Sequence, residues 1–293
     1  MATTAIERPA LALRAPRRPI HAVAHYALPA FTIVAIGYLL LPIAVMILFS
    51  FNDYSGKFNF AWRGFTLYGW LHPFDWQGLG PAVQTSLFVA TISTVFATIL
   101  GTLIGLALTR YQFRGRGAIN GLIFLPMATP EIVMGASLLT LFVASAVQPP
   151  FKDVVPRGLL YPLGVQTILV AHIMFNISYV VVTVKARLAG FDRRLEEAAM
   201  DLGANEWTTF WRVTFPLIFP GILAAALLAF SLSIDDFIIT NLVSGSTTNT
   251  FPIWVYSIQK NALPLQINVI GSMVFLGAVG LVALSTVIQA RRR

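Results

Sequence analysis

Three carboxyl groups, those of Glu131, Asp235 and Asp236, stand inside long apolar stretches of this 293-residue chain. An ionised acid facing lipid costs roughly 2.5 to 3.5 kcal/mol on insertion scales, so each is expected to face a bundle interior or a watery cavity. Such a cavity would attract a small cation and repel an anion such as sulfate or phosphate. At about 1.5 Å per residue, Glu131 lies some 20 Å and Asp235 some 27 Å from the inner ends of their helices, which places all three acids in the outer half. Adjacent helical residues diverge by about 100°, so Asp235 and Asp236 are not expected to line one pathway. The competing reading pairs these acids with Lys or Arg of another subunit, or uses them to cap broken helix ends. Tyr179 and Asn176 could add polar or cation–π contacts, with core packing as the alternative role.

Other chemistry is poorly provided for. Cysteine is absent, which removes disulfides, iron–sulfur clusters and thiolate metal sites. The four histidines, His21, His25, His72 and His172, show no HExxH spacing, and no metal site is expected. His21 and His25 stand four apart and read as part of a solvated tail. No lysine satisfies the phosphate-binding pattern GxxxxGK[ST]; at Gly56-Lys57, Phe51 occupies the first glycine position.

The elements that must position these residues are set by composition. Hydrophobic residues make up 57% of the chain and charged ones 11%, with mean hydropathy +0.75, so most of the chain is expected to be solvated by lipid. Six windows approach the roughly 20 apolar residues that a bilayer core requires: 28–50, 82–109, 118–147, 163–184, 217–241 and 264–290. The predicted organisation is a basic tail over 1–27 followed by an all-α, six-helix membrane domain over 28–293. The run over 28–50 is too long for a signal-peptide core of about 7 to 15 residues and reads as an uncleaved first helix. Pro126 and Pro130 predict a kink or break in the third window, which suits a helix facing the bundle interior.

The net charge is +8 and the pI near 10.1, but the basic residues form no stripe of the kind that binds nucleic acid. Fifteen Lys and Arg fall in the tail, 110–117, 185–212 and the C-terminus; the other five are Lys57, Arg63, Lys152, Arg157 and Lys260. This asymmetry predicts both termini on the cytoplasmic side. Trp62, Trp70, Trp76 and Trp254 then fall in outer loops and are expected to anchor at the headgroup level. Gly101 and Gly105 form a GxxxG that permits close helix approach.

The longest predicted cytoplasmic segment runs over 191–216. Asp192 is a plausible N-cap; Leu195, Ala198, Ala199 and Leu202 share a helical face; Gly203 is a plausible stop. Asn205 reads as a second cap, leading into a short helix that Pro216 is expected to end. A helix–Gly–helix elbow of this kind suits docking into a groove on another protein, whereas an amphipathic connector lying on the membrane is the plainer alternative.

Glu197-Ala198-Ala199, three residues, Gly203, nine residues and Val213-Thr214-Phe215-Pro216 resemble the EAA signature of binding-protein-dependent ABC importer permeases, with Val-x-Phe-Pro where Ile-x-Leu-Pro is usual. Trp62-Arg63-Gly64-Phe65-Thr66-Leu67, Ala107-Leu108-Thr109-Arg110 with Phe113-Arg114-Gly115-Arg116, and Leu125-Pro126 through Pro130-Glu131-Ile132-Val133 resemble further parts of that family. Ser233-Ile234-Asp235-Asp236-Phe237-Ile238-Ile239-Thr240 is similar to the fifth helix of its spermidine/putrescine branch, in the second permease of the heterodimer.

The resemblance implies a type I permease fold and a coupling elbow over 192–212, with Glu197, Ala198, Ala199, Asp201, Gly203 and Pro216 as its working residues. It implies a cytoplasmic ATPase dimer that uses ATP and Mg, a second permease and a periplasmic or extracellular solute-binding protein, in the lipid of a bacterial inner membrane. No cofactor is expected on this chain. Rival cargoes are ferric iron, an aminophosphonate or an opine. Rival classes are an ion-coupled secondary transporter or channel, and a membrane scaffold.

Overall fold

The computed structural model describes residues 19–290 apart from Ser55, Pro150, Val155 and Arg157. Most of the basic tail, and Arg291, Arg292 and Arg293, lie outside the described residues, as do the side chains of His21 and His25. In chain order the helices are α1 (Pro19–Phe49), α2 (Tyr68–Leu71), α3 (Leu79–Arg110), α4 (Arg116–Ala128), α5 (Glu131–Val147), α6 (Phe151–Val154), α7 (Val165–Ala189), α8 (Arg194–Asp201), α9 (Glu206–Thr209), α10 (Phe215–Ile234), α11 (Ile238–Val243), α12 (Phe251–Ile258) and α13 (Leu265–Ala290). Among the described residues there is no β-strand; Asn52 and Phe65 form an isolated bridge.

Four helical stretches are long and apolar enough to cross a bilayer: Tyr26–Phe49, Leu79–Arg110, Val165–Ala189 and Glu206–Ile234. The third expected window is a broken pair, α4 and α5, bent by 108°. It makes a fifth span if the pair counts as one, and the sixth window falls on α13, apolar over Leu265–Gly280. Pro126 is accommodated within α4, and the break comes at Thr129-Pro130. Thr129 is driven to extended backbone (φ −82°, ψ 131°), as the ring of a following proline demands, and its hydroxyl closes α4 by donating to the Leu125 carbonyl at 2.7 Å. The estimate of Glu131's depth, which assumed one straight helix, therefore fails.

The chain divides into two compact units. In the first, comprising residues 1–73 and 264–293, α1 packs on α13, and Met46 Sδ lies so close to Gly271 that a side chain there would collide with it. The α1–α2 loop is tied by Asn52, which donates to Asn59 Oδ1 (2.6 Å) and the Ala61 carbonyl (2.7 Å) and accepts from the Arg63 amide (2.8 Å).

In the second unit, residues 74–263, α3, α7 and α10 pack together around Ala97, Val180, Val184, Ile218, Ala225 and Ala229. Gly101 and Gly105 are buried on α3; a Cβ on Gly101 would stand 2.6 Å from Val180, and one on Gly105 3.3 Å from Val184. The absent side chains are what let α3 and α7 approach. Trp254 is not an interfacial anchor: it is buried, its indole packed beside Gly78 and donating to the Gln77 carbonyl at 3.3 Å. The fifth expected window is also interrupted, because α10 ends at Ile234 and α11 begins only at Ile238.

Candidate functional site

Both breaks open onto one cavity of about 720 Å³ in the second unit. Thr129, Pro130 and Glu131 enter its wall from the α4–α5 bend, Asp235, Asp236 and Phe237 from the gap after α10, and Phe175 and Tyr179 from α7. Glu131 and Asp235 are exposed, whereas the Asp236 side chain is 7% exposed. The expectation that two adjacent aspartates would diverge is corrected here, since they lie outside helix and both reach the cavity wall. Asn176 is not in that wall: it is fully buried, with neither side-chain amide atom hydrogen-bonded.

Behind Asp236 lies a buried polar network. Asp236 Oδ2 accepts from the Thr240 amide (2.8 Å) and hydroxyl (2.6 Å), which holds the first turn of α11 in the manner of a cap. His172 Nε2 sits 2.9 Å from Thr240 Oγ1 and 3.4 Å from Asp236 Oδ2, and Nδ1 is 2.6 Å from Ser233 Oγ. Ser233 meets Ser93 at 3.0 Å. Sequence reading missed His172, Ser93, Ser233 and Thr240 as a group. The available signals were an aspartate four residues before Thr240, and a histidine within the apolar run from Ile168 to Phe175.

A second constellation surrounds α8. Asp192 Oδ1 accepts from the Arg194 amide (3.0 Å), so the helix starts slightly later than expected. At its end, Gly203 takes φ +88°, its amide donates to the Met200 carbonyl (2.9 Å) and the Ala204 amide to that of Ala199 (3.1 Å). This paired bonding is a Schellman termination, for which glycine is suited. Asn205 caps α9 through the Thr208 amide at 2.8 Å.

Pro216 does not end the second helix. Phe210–Thr214 forms a π-turn, with the Phe215 amide donating to the Phe210 carbonyl, and the wider turn gives the proline ring room as α10 continues.

Glu196, which the spacing did not single out, anchors the elbow. Its carboxyl takes a two-pronged contact from the Arg110 guanidinium, with Nη2 to Oε1 at 2.6 Å, and a further bond from the Thr214 hydroxyl. Burial pushes this carboxyl up. The hydrogen bonds from Arg110 and Thr214 and the charges of Arg110 and Arg193 outweigh that and hold it below the ordinary glutamate value. Arg110 also lies 5.2 Å over the Phe191 ring, and Arg193 donates to the Thr109 carbonyl at 3.0 Å.

Glu197, Ala198, Asp201 and Gly203 are exposed, Ala199 is half-buried, and Leu202 is 90% and Trp207 71% exposed. The elbow thus turns Glu196 inward and leaves Leu202 and Trp207 exposed beside the charged Glu197 and Asp201.

These features define an all-α membrane protein whose second unit holds an acidic cavity at two helix breaks and an anchored elbow that exposes Leu202 and Trp207. Over residues 97–292 the chain matches the family described as binding-protein-dependent transport system inner membrane component. It is 36% identical over 252 residues to the spermidine/putrescine transport system permease protein PotC of Escherichia coli (strain K12), covering 86% of this chain and 89% of that protein. It is 37% identical over 250 residues to the putrescine transport system permease protein PotI of the same strain, covering 84% of each. A crystal structure of a bacterial ABC transporter involved in import of the acidic polysaccharide alginate has the same fold, with TM-score 0.67 at 15% identity over 93% of this chain and 97% of that one. The chain belongs to the binding-protein-dependent inner-membrane family. It is a permease subunit of an ABC importer, a transporter component and not an enzyme.

Proposed function

We propose that the subunit forms part of the path by which an ABC importer moves a small polyamine, of the spermidine/putrescine class, across a bacterial inner membrane. The carrying observation is the cavity at the two helix breaks, where Glu131 and Asp235 stand exposed, Asp236 shares the wall and Tyr179 adds an aromatic face. Such a site complements ammonium groups and disfavours anions. The names of the relatives at 36% and 37% identity support the same class of cargo. Asn176 acts in this scheme through packing next to the pathway.

The elbow over 192–212 is the handle for a cytoplasmic ATPase dimer, which uses ATP and Mg. Glu197, Ala198, Ala199 and Asp201 meet that partner, Gly203 turns the chain, and Pro216 marks its return to the membrane. The exposure of Leu195, Met200, Leu202 and Trp207 supports this reading, because large apolar side chains left in water suit a face that a partner covers. A second permease, probed by co-purification, and a periplasmic or extracellular binding protein complete the machine in lipid. Both termini face the cytoplasm, and residues 1–27 and 28–293 are tail and permease domain.

The test is putrescine uptake by the assembled importer in proteoliposomes. A charge-assisted contact of roughly 1.5–3 kcal/mol makes Glu131→Gln or Asp235→Asn slow maximal uptake by about tenfold or more while the binding protein still loads. This chain reconstituted alone transports nothing. Wild-type rates in both variants, or uptake by the lone chain, would refute the reading.

A further inference from the structure

Glu131, Asp235 and Asp236 share one cavity, but Asp236 is already engaged. Its Oδ2 holds both the Thr240 amide and the Thr240 hydroxyl. Because that hydroxyl proton is committed to Asp236, the Thr240 oxygen is left to accept from His172 Nε2–H at 2.9 Å. A ring that carries its single proton on Nε2 has a bare Nδ1, which accepts from the Ser233 hydroxyl at 2.6 Å; the Ser93 hydroxyl, which also reaches the Ala90 carbonyl at 3.3 Å, stands 3.0 Å from the Ser233 oxygen. A directed relay therefore runs from Ser233 through His172 and Thr240 to Asp236, across α10, α7 and α11, with Ser93 of α3 beside its first member.

His172 is 1% exposed, and Ser93, Ser233 and Thr240 are buried. The helices around the ring offer it no rival charge. Within Phe215–Ile234 and Ile238–Val243 there is no acidic or basic residue; α3 has only Arg110 at its far end, α5 only Glu131, and α7 otherwise Lys185 and Arg187 several turns on. If Asp236 swung toward a solute, the buried donors of Thr240 would lose their acceptor and the chain behind them would come apart.

We infer that His172 is the positioning residue of the cavity, holding Asp236 in its wall through Thr240 so that Glu131 and Asp235 are the carboxyls left to meet a cationic solute. This rests on the cationic-solute reading above. Asp236 and His172 act together on the shape of the break between α10 and α11, and not as ligands.

The test uses the assembled importer in two arms. In the first, without solute, ¹⁵N-histidine NMR in nanodiscs identifies the His172 signal by its loss in His172→Gln. The expected signal is the Nε2–H tautomer at neutral pH, moved by Asp236→Asn and unmoved by Asp235→Asn. An Nδ1–H tautomer, or indifference to Asp236→Asn, overturns the network.

In the second arm, putrescine uptake with saturating loaded binding protein is expected to fall about tenfold in His172→Leu and in Asp236→Asn, with the double variant no slower than the slower single. His172→Gln, which keeps a donor toward Thr240, recovers to within about threefold of wild type. Losses that multiply in the double variant, or no loss in His172→Leu, overturn the shared action. The NMR arm contains no solute, so an intact relay alongside wild-type uptake by Glu131→Gln and Asp235→Asn would sink the cargo reading alone.

Discussion

Glu196 and Glu197 are neighbours in sequence and about 100° apart on α8, and that rotation gives them opposite environments. Glu196 is buried against Arg110 and Thr214, while Glu197 is exposed. The motif spacing drew attention to Glu197; nothing local distinguishes Glu196, because its partners come from 86 and 18 residues away. The same holds for His172, whose contacts lie 61 and 68 residues away.

The Glu196 carboxyl is held below its ordinary value, so its contribution to the fold is complete above the normal glutamate range and is lost as pH falls through the depressed folded value. Glu196→Gln keeps the shape and removes the charge. It is expected to cost about 1.5–3 kcal/mol, the worth of a charge-assisted bond. Thermal unfolding of the purified complex checks this: the midpoint should fall at neutral pH, and the gap to wild type should close on acidification. An unchanged midpoint would mean that the Arg110 contact adds nothing.

At the scale of elements, the glycine stop and the Pro130 bend were legible, whereas the passage through Pro216 and the gap at the aspartate pair were not. The Schellman end at Gly203, the Asn205 cap and the disturbance near Pro130 follow from local chemistry that any reader of the chain can apply. The gap at Asp235–Phe237 contains neither glycine nor proline and follows a long apolar run, so local sequence predicts unbroken helix there. It is held open by Thr240 donating to Asp236, a local bond, and by the histidine behind, whose contact is tertiary.

Gly203 offers a clean probe of the elbow. Nothing lies within 4 Å of where its Cβ would be, so a substitution there meets no neighbour and acts through its φ of +88° alone. Gly203→Val is expected to cost about 1–2 kcal/mol locally and to re-aim α9. ATP hydrolysis should continue while uptake falls and receptor binding stays intact; equal uptake would leave the elbow as a mere connector.

On the scale of the whole molecule, hydropathy located the helices well, because lipid demands long apolar runs with internally satisfied backbone. It could not see which long helices bend, or that two separate breaks meet at one cavity. The charge asymmetry makes a prediction of its own. The chain has no cysteine, so single cysteines can be placed without background. One at exposed Tyr111, outside the elbow, should react with an impermeant maleimide only after the cell is opened, and one at exposed Phe60 should react in intact spheroplasts. The reverse pattern would invert the assigned topology.

The π-turn at Phe210–Thr214 has a mechanical consequence. Because the winding runs unbroken from Glu206 to Ile234, the junction between α9 and the membrane helix contains no swivel. On the proposed coupling, a push on the exposed Trp207 would travel along this one helix to the aspartate pair, so that an engine's stroke and the cavity's acids would sit at two ends of one crankshaft.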